Sequence, residues 1–151
     1  MPYTQAVIME ILRKSSIAGL IAAHQARRPA KWEGLDIQKG DWLIQNIYSV
    51  HHSKESWGDP ENFRPERFLT ADETAIQKPL PEAYIPFSVG RRSCPGELFA
   101  KNILFLFITT LFQNFTFSPD SKAQEKVSLE PRWAATLIPT KFYPLEVSKR
   151  E

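Results

Sequence analysis

Cys94 is the one cysteine among 151 residues. No intramolecular disulfide can form, so the role of the thiol must be read from its neighbours. It stands in the segment Phe87-Ser88-Val89-Gly90-Arg91-Arg92-Ser93-Cys94-Pro95-Gly96, followed directly by an apolar run. Gly90 permits backbone geometry closed to other residues, and Gly96 lets the main chain approach a bulky group. Proline suits a first helical turn, so Pro95 predicts a helix over 95–112 with Cys94 at its N-terminus. There, unpaired amides and the positive end of the helix dipole stabilise a thiolate, and Arg92 adds positive charge. Such a loop presents an ionised sulfur to a cation. The competing reading is a buried, inert cysteine beside a helix cap.

Two further groupings bear on chemistry. Glu10-Ile11-Leu12-Arg13 places a carboxylate and a guanidinium three residues apart, which on a helix commonly forms a surface ion pair. The pairs Arg27-Arg28 and Arg91-Arg92 either solvate a surface or meet anionic carboxylates. His24 taken alone reads as a surface or hydrogen-bonded histidine.

The elements that must position these residues are partly visible. Pro2 in a first turn, with Ala6, Val7, Ile11 and Leu12 on one face, predicts a helix over 2–14. The stretches 32–37 and 42–50 read as strands joined by a turn at Gln38-Lys39-Gly40-Asp41. From His51 to Pro86, five prolines punctuate a segment without periodicity; so long an irregular stretch is usually functional or wraps a ligand. The helix after Cys94 is apolar nearly all round and is expected to pack on most sides. Phe115 to Phe117 extends briefly, and 133–138 with 142–147 suggests a terminal hairpin about Pro139-Thr140-Lys141. No internal repeat or low-complexity linker interrupts this single mixed α and β unit.

Lys plus Arg (19) nearly balances Asp plus Glu (17), giving a net charge of +2. No strong field for nucleic acid or a membrane surface follows. The most apolar run, 103–112, is about half the ~20 residues that span a bilayer. Met1 to Ala6 lacks a charged stretch followed by an apolar one, so no signal peptide is visible.

The pattern Phe-x-x-Gly-x-Arg-x-Cys-x-Gly, met by Phe87, Gly90, Arg92, Cys94 and Gly96, resembles the haem-binding loop of the cytochromes P450. Two further motifs stand in the same order. Glu10 to Arg13 resembles the Glu-x-x-Arg of that family's K helix, and Asn62-Phe63-Arg64-Pro65-Glu66-Arg67-Phe68 resembles its Pro-Glu-Arg-Phe element. The runs Tyr48-Ser49-Val50-His51 and Trp57-Gly58-Asp59-Pro60 look most like microsomal animal-type members. There are three departures from the pattern: Ser53-Lys54 where Asp-Pro is frequent, Pro95 for an aliphatic residue, and Ile103 for a glutamate. The first is expected to lie in a loop without consequence.

The resemblance implies a fold that is mixed α and β, mainly α in the parent, with residues 1–151 as its C-terminal haem-binding portion: K helix, small sheets, meander, cysteine-ligand loop, L helix and terminal hairpin. It implies haem b, iron protoporphyrin IX, with Cys94 as axial ligand of the iron. Arg92 and His24 would meet the propionates, while Phe87, Gly90 and Gly96 shape the loop. Glu10, Arg13 and Arg67 would form a buried, structural charge triad. The implied reaction inserts one atom of O2 into a small hydrophobic substrate. Electrons would come from NADPH through a flavin-containing reductase, against whose acidic surface Arg91 and Lys101 either dock or are ordinary solvated charge. The location implied is the cytosolic face of the endoplasmic reticulum membrane. The oxygen-handling Ala/Gly-Gly-x-x-Thr motif of the I helix and the N-terminal anchor are not found in this sequence. The chain is therefore expected to be a fragment of the enzyme, without catalytic residues of its own. A truncated, non-catalytic haem-binding or interaction protein is the rival reading, and a reductase-independent rearrangement of peroxides stays open as a third.

Overall fold

The computed structural model describes residues 1–21, 23–120, 131–133, 137–139 and 143–150. Helix α1 (Pro2–Ser15) has proline in its first turn and Arg13 and Lys14 in its last, where cations complement the dipole. It stops at Ser16, which adopts the left-handed conformation (φ 39°, ψ 50°) while its amide donates to the Leu12 carbonyl. A residue with a Cβ is strained there. The Ser16 hydroxyl offsets this by donating to the Arg13 carbonyl at 2.7 Å.

Strands β1 (His24–Gln25), β2 (Ala30–Trp32), β3 (Leu35–Ile37) and β4 (Trp42–Leu43) follow. β2 and β3 form a hairpin in which Trp32 pairs with Leu35. Its two-residue loop, Glu33-Gly34, has positive φ at both positions (47° and 79°), which matches the twist of the flanking strands. The expected strand over 32–37 is thus broken by this loop. The turn at Gln38–Asp41 is present as well: the Asp41 amide donates to the Gln38 carbonyl, and the Asp41 carboxylate accepts from the Gln38 amide. It returns the chain so that β4 pairs with β1, His24 opposite Leu43.

The strand expected over 42–50 ends at Leu43. Ile47–His51 is instead a helix, α2, capped by the Asn46 side chain, which accepts from the Ser49 amide. Burial of Ile47 and His51 overrides the β-propensity of Ile47, Tyr48 and Val50. Ser53-Lys54 does not lie in an inconsequential loop. Ser53 caps α3 (Lys54–Trp57), its hydroxyl accepting from the Ser56 amide at 3.4 Å. Because that bond is long, Ser53→Ala is expected to cost about 0.5 kcal/mol, the low end for an N-cap, read as a small fall in unfolding midpoint.

Between α3 and Pro86 the chain is irregular but pinned. A 3-10 turn (Pro65–Phe68) packs against α1, and Leu69 bridges to Ile76. Ala6, Trp57, Phe68 and Leu69 make the core, with Met9, Ile76, Ala83 and Tyr84 against it. Trp57 meets Phe68 edge-on, as does Tyr84 (ring centroids 5.9 and 4.9 Å from Phe68). The irregular segment therefore wraps the first helix.

Helix α4 (Glu97–Asn114) is the second long helix, and none of its residues is buried. Leu98 and Phe99 are each 72% exposed, Phe107 64% and Leu106 61%. The expectation of packing on most sides is corrected: the composition is apolar all round, but the described residues do not cover it. After α4, β5 (Phe115–Pro119) pairs with β8 (Leu145–Lys149), and β6 (Pro131–Trp133) pairs with β7 (Leu137–Pro139). The expected hairpin is thus shifted. Its first strand pairs within 131–139, while the last strand returns to β5. The turn expected at Thr140-Lys141 lies outside the described residues.

Candidate functional site

Cys94 lies in the loop between the irregular segment and α4, and its side chain is exposed. The loop enters through Ser88 (φ 64°) and Gly90 (φ 79°), both in the left-handed region. At Gly90 the absence of a Cβ is what permits this. A short 3-10 turn, Gly90–Arg92, then brings the Ser93 amide onto the Gly90 carbonyl at 3.2 Å. The Cys94 amide closes the loop by donating to the Phe87 carbonyl at 2.9 Å.

The helix does not begin at Pro95. Its N-cap is Gly96, and Pro95-Gly96 form a turn in which the Cys94 carbonyl accepts from the Glu97 amide at 3.4 Å. Proline fits the second place of that turn for the same reason it fits a helix start, its fixed φ. Cys94 is thus two residues before the cap and still beside the helix entrance. Among the described residues nothing buries the cysteine.

The sulfur is approachable. A Cβ placed on Gly96 would stand 3.8 Å from Cys94 Sγ and meet nothing else within 4 Å. No three His, Cys, Asp or Glu side chains cluster to hold a metal ion among the described residues. The exposed sulfur can serve as a single ligand to a metal that brings its others with it. A tetrapyrrole does that, so the residues present fit haem.

Arg92 is exposed in the 3-10 turn, and His24 is exposed on β1. Neither side chain forms an ion pair or hydrogen bond among the described residues. Phe87 is half-buried, with Lys101 Nζ 5.6 Å from its ring centre. Lys101 also pairs with Glu97, one turn away, whereas Arg91 is exposed. Ile103 is 48% exposed.

The structure brings Glu10, Arg13 and Arg67 together. Glu10 and Arg13 are completely buried. Arg13 forks onto the Glu10 carboxylate through Nε and Nη2, both at 2.8 Å. Arg67 Nε stands 3.2 Å from the same carboxylate, and the Arg64 amide donates to it at 3.0 Å. Main-chain carbonyls take further guanidinium hydrogens: His51, Pro60 and Asn62 accept from Arg13, while Trp57, Asp59 and Asn62 accept from Arg67, whose Nη2 also donates to the Asp59 carboxylate at 3.3 Å. The Trp57 ring lies 5.2 Å from the Arg13 guanidinium and 5.6 Å from that of Arg67. At the edge of the cluster, Arg64 and Asn62 also donate to Asp59 and hold its carboxyl down to about 2.

Sequence reasoning gave no role to His51, which is completely buried. The Ile85 amide donates to its Nε2 at 3.1 Å. Nε2 is therefore the bare nitrogen, and Nδ1–H donates to Ser16 Oγ at 2.9 Å, since that hydroxyl spends its own hydrogen on Arg13. Burial, reinforced by the neighbouring Arg13 charge, lowers the His51 pKa to about 4 from 6.5. The unfolded chain accordingly binds one more proton between those values. The contribution to stability is complete above pH 6.5 and is lost as the pH falls toward 4. The slope is about 1.4 kcal/mol per pH unit at its steepest. Urea midpoints followed across that range are expected to lose this one-proton slope in His51→Gln.

The Cytochrome P450 family profile matches residues 1–146. The chain belongs to the cytochrome P450 family. It is 42% identical over 137 residues to cytochrome P450 1A2 of Homo sapiens, covering 91% of this chain and 26% of that protein. To cytochrome P450 2J1 of Oryctolagus cuniculus it is 40% identical over 141 residues, 93% of this chain and 27% of that one. A zebrafish cytochrome P450, solved with abiraterone, superposes with a TM-score of 0.86 at 31% identity, covering all of this chain and 34% of that chain. The fold is thus that of a cytochrome P450, mixed helix and small sheets, and the relatives are animal cytochromes P450. The chain spans about a quarter of the length of the curated relatives it matches.

Proposed function

We propose that residues 1–151 are the C-terminal haem-binding portion of a haem-thiolate monooxygenase, with Cys94 as axial ligand of the iron of haem b. The observation that carries this is the exposed sulfur at the mouth of a glycine-flanked loop, outside any group of three metal-ligating side chains among the described residues. Arg92 and His24 would pair with the two propionates as cations or donors. Phe87, Gly90 and Gly96 shape the loop and leave room at the sulfur. Glu10, Arg13 and Arg67 have a structural role, holding the segment that precedes the loop.

Haem, when bound, supplies reductive activation of O2, which thiolate ligation favours. The chain's own work is to bind the iron through Cys94, to neutralise the propionates and to keep the loop closed through the Cys94 amide. No residue of this chain is assigned a catalytic proton transfer. The whole protein would oxidise a small hydrophobic substrate with electrons from NADPH through a flavin-containing reductase, at the cytosolic face of the endoplasmic reticulum membrane. Arg91 is the exposed cation on this loop available to an acidic reductase surface, since Lys101 is engaged by Glu97. No described helix is long and apolar enough to cross a membrane.

Placement within a larger fold is supported by the uncovered apolar side chains of α4, among them Leu98, Phe99, Leu106 and Phe107.

The test is the reduced, carbon monoxide-bound spectrum of the complete translation product. A thiolate-type Soret band is expected; a colourless protein or a nitrogen-ligated spectrum overturns the reading. These 151 residues alone are expected to take up no stable haem, and a stable thiolate band from them favours an autonomous haem binder instead.

A further inference from the structure

We propose that His51 is the positioning residue that anchors the cysteine loop to the body of the fold. The inference rests on the haem-thiolate reading above. Among the described residues, two hydrogen bonds tie residues 85–94 to elements that precede the loop. One runs from Ser88 Oγ to Gln45 Oε1 at 3.2 Å, in a half-buried position open to competition from water. The other is the Ile85 amide on His51 Nε2 at 3.1 Å, completely buried on the histidine side. From Ile85 the restraint passes inward: its carbonyl accepts from the Ser88 amide at 3.0 Å, and the Phe87 carbonyl accepts from the Cys94 amide at 2.9 Å. The histidine thus fixes the point at which the chain enters the turn that carries the sulfur.

His51 is itself held at three places. Its carbonyl accepts from Arg13 Nη1 at 2.7 Å, its Nδ1–H is received by Ser16, and its ring lies against Tyr84 (centroids 6.3 Å) and edge-on to Trp57 (6.5 Å). A ring fixed at both nitrogens cannot rotate without leaving a buried group unpaired, which is the costly outcome for any buried donor or acceptor. His51 therefore links the arginine cluster to the cysteine loop through one residue, backbone on one side and imidazole on the other. Imidazole Nε2 lies at the reach of a glutamine Oε1, so glutamine keeps an acceptor for Ile85 and leucine does not.

The experiment uses the complete haem-loaded protein. It compares the rate at which the thiolate-type band of the carbon monoxide adduct converts to the thiolate-free form on mild heating. His51→Leu is expected to convert about tenfold faster than wild type, the ratio set by one buried hydrogen bond of ordinary strength. His51→Gln is expected to recover most of that difference. Equal rates for the two variants overturn the proposal, because a merely structural loss of the ring would affect both alike. Should neither variant take up haem, Ser16→Ala is measured against Ile47→Val, a core change with no bond to the loop. Faster conversion in Ser16→Ala at matched unfolding midpoint supports the proposal, and equal conversion overturns it. A wild-type protein without a thiolate band sinks the underlying reading, a result separate from either outcome.

Discussion

Cys94→Ser is expected to abolish the thiolate-type spectrum, and the oxygenase activity proposed for the complete protein, while leaving the unfolding free energy of the cofactor-free chain within about 0.5 kcal/mol of wild type, since its side chain is exposed and outside the core. The two halves of this result have separate causes. A serine hydroxyl is not a thiolate and does not donate charge to iron in the same way. The loop, however, closes through the Cys94 amide and the Phe87 carbonyl, which the substitution leaves in place. The check is paired measurement of the carbon monoxide spectrum and of urea unfolding. A retained thiolate band removes the ligand from this account. A large loss of stability would mean that the sulfur packs in a core the structure does not show.

How far the sequence reaches depends on whether an interaction is local. Helix α1 was legible because Pro2 and the apolar positions at helical spacing all lie within fifteen residues. The cysteine loop was legible because Gly90 and Gly96 mark special backbone next to Cys94, although the helix starts after a Gly96 cap and not at Pro95. Where local signals conflicted, the reading failed. Ile47 to His51 carries strand-favouring residues, yet Asn46 caps it as a helix, and the burial that decides between them is set by contacts distant in sequence. The Glu33-Gly34 turn was passed over because a glutamate at positive φ is uncommon. His51 was invisible as an anchor: its partners Ser16 and Ile85 lie 35 and 34 positions away, and no spacing rule joins them.

Helix α4 shows a different limit. Its composition correctly gives a helix that is apolar all round, and the inference that such a helix is covered concerns the molecule in which it finally sits. The described residues leave Leu98, Phe99, Leu106 and Phe107 open. Composition cannot say which part of a protein supplies the cover, and this chain matches 34% of the solved zebrafish chain.

The arginine cluster carries the other large effect, and here the fold is lost first. Glu10→Ala would leave the guanidinium of Arg13 completely buried without a carboxylate, and that of Arg67 with the partly exposed Asp59 carboxylate in place of Glu10. Removing one partner of a buried ion pair costs on the order of 3–5 kcal/mol, because the remaining charge cannot return to water. Arg67→Ala is expected to cost less, since Arg13 keeps both of its bonds to Glu10 and the Arg64 amide still donates to it. Arg13→Lys is expected to fall nearer Glu10→Ala than its retained charge suggests. An ammonium cannot fork onto the carboxylate through two nitrogens while also reaching the carbonyls of His51 and Pro60. The order is therefore Glu10→Ala, then Arg13→Lys, then Arg67→Ala, read from urea midpoints of the complete protein and from the haem retained at each. Haem content should fall in that same order, because the Arg13 side chain holds the His51 carbonyl and the His51 ring holds the start of the cysteine loop. Full haem content in Glu10→Ala would show that the cluster and the loop are independent.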